Sequence, residues 1–467
     1  MNRLIVISNR VSAATGGAAG AQGGLAVALT TALREYRGLW FGWSGNVTEQ
    51  FNGHINFQRE DGVTTATVDL EQQDVEEYYN GYANRTLWPL FHYRIDLAEY
   101  ERDFAGGYQR ANERFADTVL PLIEPGDAVW VQDYHMIPLG HLLRERGCRN
   151  RIGFFLHTPW PPRRLLLTLP EANDLVRTMF AYDVIGFHTD EWLQSFVDFV
   201  TLECGGKYED GVLQVKDRTI QVITCPIGID ATEFAQLATA DEAQRTYERM
   251  VDSANRRAMI VGVDRLDYSK GLEERFTGYE RFLLEHPEER ESVFLLQIAP
   301  PSRGTVESYQ RIRAELEGLS GRINGAHASL DWVPIRYVNQ GYSREVLAGV
   351  YRAARIGLVT PLRDGMNLVA KEFIAAQDPD DPGVLILSRF AGAAVQLKDA
   401  LLVNPYSAEE MADAIRTALA MSREERSRRW RAMFDNIRSE DVLWWRQRFT
   451  DALIGEEQDA TELNAVD

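Results

Sequence analysis

The segment Arg363-Asp364-Gly365-Met366-Asn367-Leu368-Val369-Ala370-Lys371-Glu372 places two carboxylates eight residues apart around a predicted helix start. It follows Ile356-Gly357-Leu358-Val359-Thr360, an apolar run that reads as a buried parallel strand. Open α/β sheets bind ligands at the carboxyl ends of their strands. A helix N-terminus offers free N–H groups and a positive dipole end to an anion. Acceptors on either side of such a site suit sugar and ribose hydroxyls while the backbone holds phosphate. The arrangement points to a sugar nucleotide.

Other groups of the same kind recur after strand-like runs. Ser8-Asn9-Arg10 ends the first, and a loop with Gly16, Gly17, Gly20, Gly23 and Gly24 follows it. Glycines let backbone N–H groups approach a phosphate closely. The loop is neither GxGxxG nor GxxxxGK[ST], which argues against a nicotinamide-dependent dehydrogenase or a P-loop enzyme. Val263-Asp264-Arg265-Leu266-Asp267-Tyr268-Ser269-Lys270-Gly271 places two cations where a departing diphosphate can be stabilised. Arg303 stands in Pro301-Ser302-Arg303-Gly304, again past a strand. Asp133, in Gln132-Asp133-Tyr134-His135, and His157, in Leu156-His157-Thr158-Pro159-Trp160, fall at neighbouring strand ends. A salt-bridged turn, a structural histidine or a core tryptophan explains each of these taken alone. Cations at three strand ends, Arg10, Arg265 and Arg303, favour more than one phosphate group.

The elements that must hold these residues read as an α/β chain. Strands are expected over Leu4–Ser8, Ala128–Gln132, Ile152–Leu156 and Val184–Phe187, with a hairpin over Val212–Thr224. Further strands are expected over Met259–Val263, Val293–Ile298, Ile335–Val338, Ile356–Thr360, Val384–Ser388 and Leu401–Val403. Helix patterns include Leu25–Arg34, Met136–Arg146, Glu273–His286, Val306–Leu316 and Arg344–Ala354. Alternation of this kind makes parallel sheets wrapped by helices. The 467 residues are too many for one core, and the break is expected near Pro226–Asp230. That division gives an N-terminal domain over 1–230 and a C-terminal one over 231–440, two similar domains facing across a cleft. A last helix near 440–455 is expected to pack back on the first domain, and the acidic tail 456–467 to be disordered.

Composition narrows the partners. A net charge of −19 argues against nucleic acid and anionic membrane surfaces. No apolar run is long enough to span a bilayer, and no signal peptide is evident. Cys148, Cys204 and Cys225 form no CxxC or Cys/His cluster, so neither a metal site nor a disulfide framework is expected, and the count suits the cytoplasm. GxSxG and HExxH are both absent.

Taken together, the motifs resemble the trehalose-6-phosphate synthases, retaining glucosyltransferases of GT-B architecture with two Rossmann-like, doubly wound domains. The likeness runs from about residue 3 to about residue 450. It is carried by Ser8-Asn9-Arg10, Gly23-Gly24-Leu25, Leu39-Trp40-Phe41-Gly42-Trp43, Glu77-Tyr78-Tyr79-Asn80, Trp88-Pro89 with Phe91-His92-Tyr93-Arg94, Asp133-Tyr134-His135, Arg265 to Gly271, Ser302-Arg303-Gly304 and Pro361 to Glu372. The resemblance implies that Arg10, Tyr79, Asp133 and Arg303 hold glucose 6-phosphate. It implies that Gly23, Gly24, Arg265, Lys270, Tyr342, Asp364 and the segment Leu368, Val369, Ala370, Lys371 and Glu372 hold UDP-glucose. Chemistry falls to Arg265, Lys270, His157 and Asp364, and anomer selection to Trp88 and Thr158. No cofactor and no metal are implied, and a homo-oligomer, dimer or tetramer, is expected. Family members often carry His-Ile-Pro-Phe-Pro where this chain has His157-Thr158-Pro159-Trp160-Pro161, which bears on donor or anomer preference. Two alternatives stand beside this reading. One is a pseudoglycosyltransferase or glucosylglycerol-phosphate synthase with another acceptor; the other is a non-catalytic regulatory subunit.

Overall fold

Short runs of branched apolar residues build two sheets, and their order decides which loops meet. The computed structural model describes residues 3–11, 38–60, 62–301 and 307–455, together with Leu29 and Leu33. Gly23, Gly24, Arg303 and the tail 456–467 lie outside the described residues, as does most of the Leu25–Arg34 helix. Contacts separate the chain into two compact units, one running to Ile227 and resuming at Leu443, the other from Gly228 to Val442.

In the first unit the strands are β1 (Leu4–Arg10), β2 (Leu39–Thr48), β3 (Asn56–Glu60), β4 (Val63–Glu71), β5 (Ala128–Gln132), β6 (Ile152–Phe155), β7 (Val184–Phe187), β8 (Lys207–Glu209), β9 (Val212–Val215) and β10 (Arg218–Thr224). They form a 10-stranded sheet in the order β3-β4-β2-β1-β5-β6-β7-β10-β9-β8. From β4 to β10 all pairs are parallel; β3 and the β8–β9–β10 ribbon add antiparallel edges. The carboxyl ends of β1, β5, β6 and β7 therefore lie side by side. The helix Val442–Ile454 belongs to this unit and lays Phe449 flat on Trp130 of β5, ring centroids 4.6 Å apart.

The second unit holds β11 (Ala258–Val263), β12 (Val293–Ile298), β13 (Ile335–Val338), β14 (Ile356–Val359), β15 (Val384–Ser388) and β16 (Leu401–Val403). They form a 6-stranded sheet in the order β13-β12-β11-β14-β15-β16, parallel throughout. Counted within the unit the order is that of a doubly wound nucleotide-binding sheet, and it reverses direction between β11 and β14. Both faces of such a sheet are covered, which is why β12 and β15 are buried at every position.

The structure departs from the sequence reading in places. Strands β2, β3, β4 and β8 fall outside the expected set. Gly42 interrupts the apolar run of β2 because a Cβ there would stand 2.1 Å from the Ser8 carbonyl oxygen of the adjacent strand. The expected helix Met136–Arg146 is a single 3₁₀ turn at Tyr134–Met136 and a helix from Leu139 to Glu145, because Pro138 carries no N–H. The helix predicted to stop at Leu316 runs from Glu307 to His327, through Gly318 and Gly321. Asp241–Ala254, a polar stretch in the sequence, is a helix. Among the described residues no helix is long and apolar enough to cross a membrane.

Candidate active site

In the second unit the loops after β11 and β14 meet at the topological switch. Lys270 ends the 3₁₀ turn Tyr268–Lys270, which is capped by Asp267: its Oδ1 accepts the Ser269 N–H at 2.9 Å. Tyr309 donates its hydroxyl to the other Asp267 oxygen at 3.1 Å. Gly271 follows at φ +61°, where a Cβ would lie 2.2 Å from the Thr360 carbonyl oxygen, so only glycine lets the two loops close. The Leu362 N–H then donates to Ser269 O at 2.8 Å. The result is an ion pair between Lys270 Nζ and Asp364 Oδ2 at 2.5 Å, with both side chains largely buried.

Asp364 is fixed from its other side as well. It bridges to Ala391, and Gly392 N–H donates to Asp364 O at 3.0 Å. Asn367 Nδ2 donates to the same carboxylate oxygen at 3.1 Å, while Asn367 Oδ1 accepts the Ala370 N–H and caps the helix Leu368–Ala376. Asn367 adopts φ +80°, a conformation that asparagine tolerates better than most side chains. Arg265, just after β11, is exposed. Tyr342 is half-buried between β13 and the helix Arg344–Ala353.

Glu372 sits one turn into the Leu368–Ala376 helix. Burial pushes its carboxyl up to about 7, Arg344 pulls it down and Glu233 pushes it up. A carboxyl raised in the folded state costs stability above its folded value, and the cost fades as the pH falls toward the unfolded one. Glu372→Gln is therefore expected to raise the melting temperature at about pH 8 and to change it little near pH 4.5. Thermal unfolding of the ligand-free variant at both pH values checks this; an equal shift at both contradicts it. Lys371 turns the other way. It is fully buried, its Nζ lies 2.7 Å from Gln396 Oε1, and desolvation lowers it to about 7.

In the first unit the group lies along the carboxyl ends of β1, β5 and β6. Arg10 is exposed, its guanidinium carbon 5.6 Å from the Trp43 ring centroid. Trp43 meets Tyr79 edge-on at 5.5 Å, and Tyr79 stacks on His135 at 6.0 Å. Next to Arg10 in sequence, Asn9 accepts the Tyr78 hydroxyl at 2.8 Å and Ser8 Oγ accepts Trp40 Nε1–H at 2.8 Å. Tyr78 and Tyr79 ride on a wide-turn π-helix, Val75–Leu87, a geometry often kept at functional sites. Its start is pinned by buried Asp74, which pairs with Arg110 at 2.9 Å and also with Arg114.

Asp133 follows β5 at φ +71°, a strained setting for a residue with a Cβ. Its Oδ1 accepts the His157 N–H at 3.1 Å, which ties the ends of β5 and β6 together. The His157 ring packs among Phe155, His188 and Trp445, with centroids 4.8, 5.2 and 5.9 Å away. Desolvation pulls its imidazolium down to about 3, so the ring is neutral at physiological pH. Trp88 is buried against His92 at 4.1 Å and Tyr134 at 5.7 Å. Thr158 is buried, and its Oγ1 has no hydrogen-bond partner among the described residues.

Residues 3–454 match Glycosyltransferase family 20. The chain belongs to that family. A trehalose-6-phosphate synthase of Sinorhizobium fredii is 48% identical over 456 residues, 97% of this chain and 98% of that protein. A UDP-forming alpha,alpha-trehalose-phosphate synthase of Burkholderia xenovorans, solved in complex with glucose-6-phosphate, is 46% identical with a TM-score of 0.93, covering 97% of this chain and 100% of the other. An Escherichia coli protein solved with bound UDP-2-fluoro glucose is 42% identical with a TM-score of 0.93, covering 97% and 99%. The expectations of family and of α/β architecture are thus met.

For this family 20 glycosyltransferase, sequence reasoning passed over the residues that hold the site residues. Arg275 is 0% exposed, yet it pairs with Asp264 at 2.7 Å and donates to Gln297 Oε1 at 2.9 Å and Thr360 Oγ1 at 3.0 Å. Gln132 and Gln297 are buried amides in apolar strands. A lone amide inside such a run is the signal that finds them.

Proposed function

We propose that this chain is an α,α-trehalose-phosphate synthase. It transfers glucose from UDP-glucose to the anomeric oxygen of glucose 6-phosphate, with retention, giving trehalose 6-phosphate and UDP. The observation that supports the reading is that strand ends in each unit carry polar groups suited to it: a Lys270–Asp364 pair at a nucleotide-type switch point in one, and in the other Arg10 and Tyr79 against Trp43, with Asp133 bonded to the main chain of His157. Relatives at 42–48% identity bear the synthase name, and solved relatives hold glucose-6-phosphate or UDP-2-fluoro glucose.

In this reading Arg265 and Lys270 take the diphosphate, Asp364 a hydroxyl of the donor glucose, Glu372 the ribose and Tyr342 the neighbourhood of the base. Lys371 contributes through its backbone, since its side chain is spent on Gln396. Gly23 and Gly24 approach the diphosphate. Arg10, Tyr79 and Arg303 take the acceptor phosphate and Asp133 an acceptor hydroxyl, while His157, Trp88 and Thr158 border the donor sugar.

Retaining hydrolases place a carboxylate nucleophile beneath the anomeric carbon. Asp364 is a poor one, because its Oδ2 takes both Lys270 and Asn367. The step we infer is front-face. The bond from C1 to the diphosphate oxygen breaks, the bond from C1 to the acceptor oxygen forms on the same face, and the leaving phosphate oxygen takes the acceptor's proton. The protein supplies position and electrostatics. A cytoplasmic homo-oligomer is proposed with this activity, and sedimentation of the purified chain tests the assembly.

Purified chain given UDP-glucose and glucose 6-phosphate is expected to release UDP and form a disaccharide phosphate with both anomeric centres α. GDP- and ADP-glucose in place of the donor, and glycerol 3-phosphate in place of the acceptor, measure the specificity. Equal UDP release with glycerol 3-phosphate sinks the acceptor assignment; no release with any acceptor favours a regulatory subunit.

A further inference from the structure

Gln132 is the last residue of β5 and is 0% exposed. An amide buried there costs free energy unless its polar atoms are used. Its Oε1 lies 2.8 Å from His157 Nε2, and its Nε2 has no hydrogen-bond partner among the described residues. A half-satisfied amide is a poor choice for packing alone, and an apolar residue of similar volume would avoid the cost. The retained oxygen contact gives the amide a task. An amide oxygen only accepts, so the imidazole nitrogen facing it must carry the proton.

We propose that Gln132 is a positioning residue: its amide oxygen accepts the Nε2 proton of His157 and leaves Nδ1 as the ring's acceptor for a sugar hydroxyl. The inference rests on the donor-sugar role proposed above for His157. The rest of the setting agrees with it. Asp133 Oδ1 takes the His157 main-chain N–H at 3.1 Å and so fixes the backbone that carries the ring. From β6 the ring meets Phe155, from the residues after β7 it meets His188, and from the C-terminal helix it meets Trp445. His188 and Asp133 are the titratable groups among these neighbours. The desolvation that keeps His157 neutral then makes the tautomer, and not the charge, the property left to fix.

Nitrogen-15 NMR of the histidine-labelled full chain tests the assignment without any need for activity. The signals of one of the 8 histidines are identified by their loss in His157→Gln. The expected result is the Nε2–H tautomer in the wild-type chain, with Nδ1–H appearing in Gln132→Leu. Kinetics supply the second readout. Gln132→Leu should lower kcat about tenfold, the worth of one hydrogen bond, with little change in the glucose 6-phosphate KM. Gln132→Glu sets a carboxylate against the ring and favours imidazolium. Its kcat/KM should fall as the pH drops through a new inflection, within roughly pH 5 to 9, that the wild-type profile lacks. A wild-type Nδ1–H tautomer, or a Gln132→Glu profile parallel to wild type, overturns the proposal. A chain with the Nε2–H tautomer but no transferase activity would instead overturn the function and leave the tautomer standing.

Discussion

Lys270→Ala is expected to lower turnover by about a hundredfold or more while leaving the chain folded. Removing one preorganised donor from a developing anion costs roughly 3–4 kcal/mol of transition-state stabilisation, and every 1.36 kcal/mol is about tenfold in rate. Preorganisation is visible in the loop itself. The Asp267 cap, the Tyr309 hydroxyl behind it, Gly271 at φ +61° and the Leu362–Ser269 hydrogen bond fix the backbone on both sides of Lys270. The ammonium is held by Asp364 at 2.5 Å, so little reorganisation is needed when a diphosphate arrives. Lys270→Arg should not restore the rate, because a planar fork does not replace a point charge beside an oxygen already shared with Asn367. The measurement is kcat for UDP release at saturating substrates, with thermal unfolding as the control for folding. A folded Lys270→Ala chain with near wild-type kcat removes the clamp role. Arg265→Ala, which deletes an exposed cation from the same loop, belongs in the same series.

The strand ends are readable because the apolar runs are. Val293–Ile298, Val384–Ser388 and Ala128–Gln132 have the bounds expected of them, since strands buried on both faces are almost continuous apolar runs. Arg10, Asp133, His157, Arg265, Lys270 and Asp364 all follow such runs, and that alone puts them at the carboxyl edges of the sheets. The strands β2 to β4 are hidden for a different reason. β4 alternates buried Ala66, Val68 and Leu70 with half-buried Thr67, Asp69 and Glu71, so it carries no continuous apolar run. The partnership of Lys270 with Asp364, 94 residues apart, needs the adjacency of β11 and β14, which periodicity cannot supply. The inward turn of Lys371 is hidden as well, because helix phase alone does not say that a lysine will be buried.

Arg275 is the residue whose loss should damage the second unit most. It lies in the helix Leu272–Glu285, where its sequence neighbours suggest an ordinary surface cation, yet none of it reaches solvent. Its guanidinium joins three strands around the switch point, through Asp264 after β11, Gln297 in β12 and Thr360 after β14. Arg275→Met removes the partner of a buried carboxylate, a change that costs about 3–5 kcal/mol. For a unit of this size that corresponds to a fall in melting temperature of roughly 10 °C. Burial already pushes the Asp264 carboxyl up, against the pull of Arg275 and Lys270. Without Arg275 that pull weakens and the carboxyl rises further. The penalty is then fully present above the raised folded value and shrinks as the pH falls through it toward the unfolded value, where the group is protonated in both states. Unfolding of Arg275→Met against wild type at about pH 8 and about pH 5 should therefore show the larger gap at the higher pH. Adding Asp264→Asn should recover part of the loss, since the two residues share one interaction. An Arg275→Met chain as stable as wild type at both pH values would mean that the pair is not a buried ion pair, and that the loop carrying Lys270 owes its position to the backbone contacts alone.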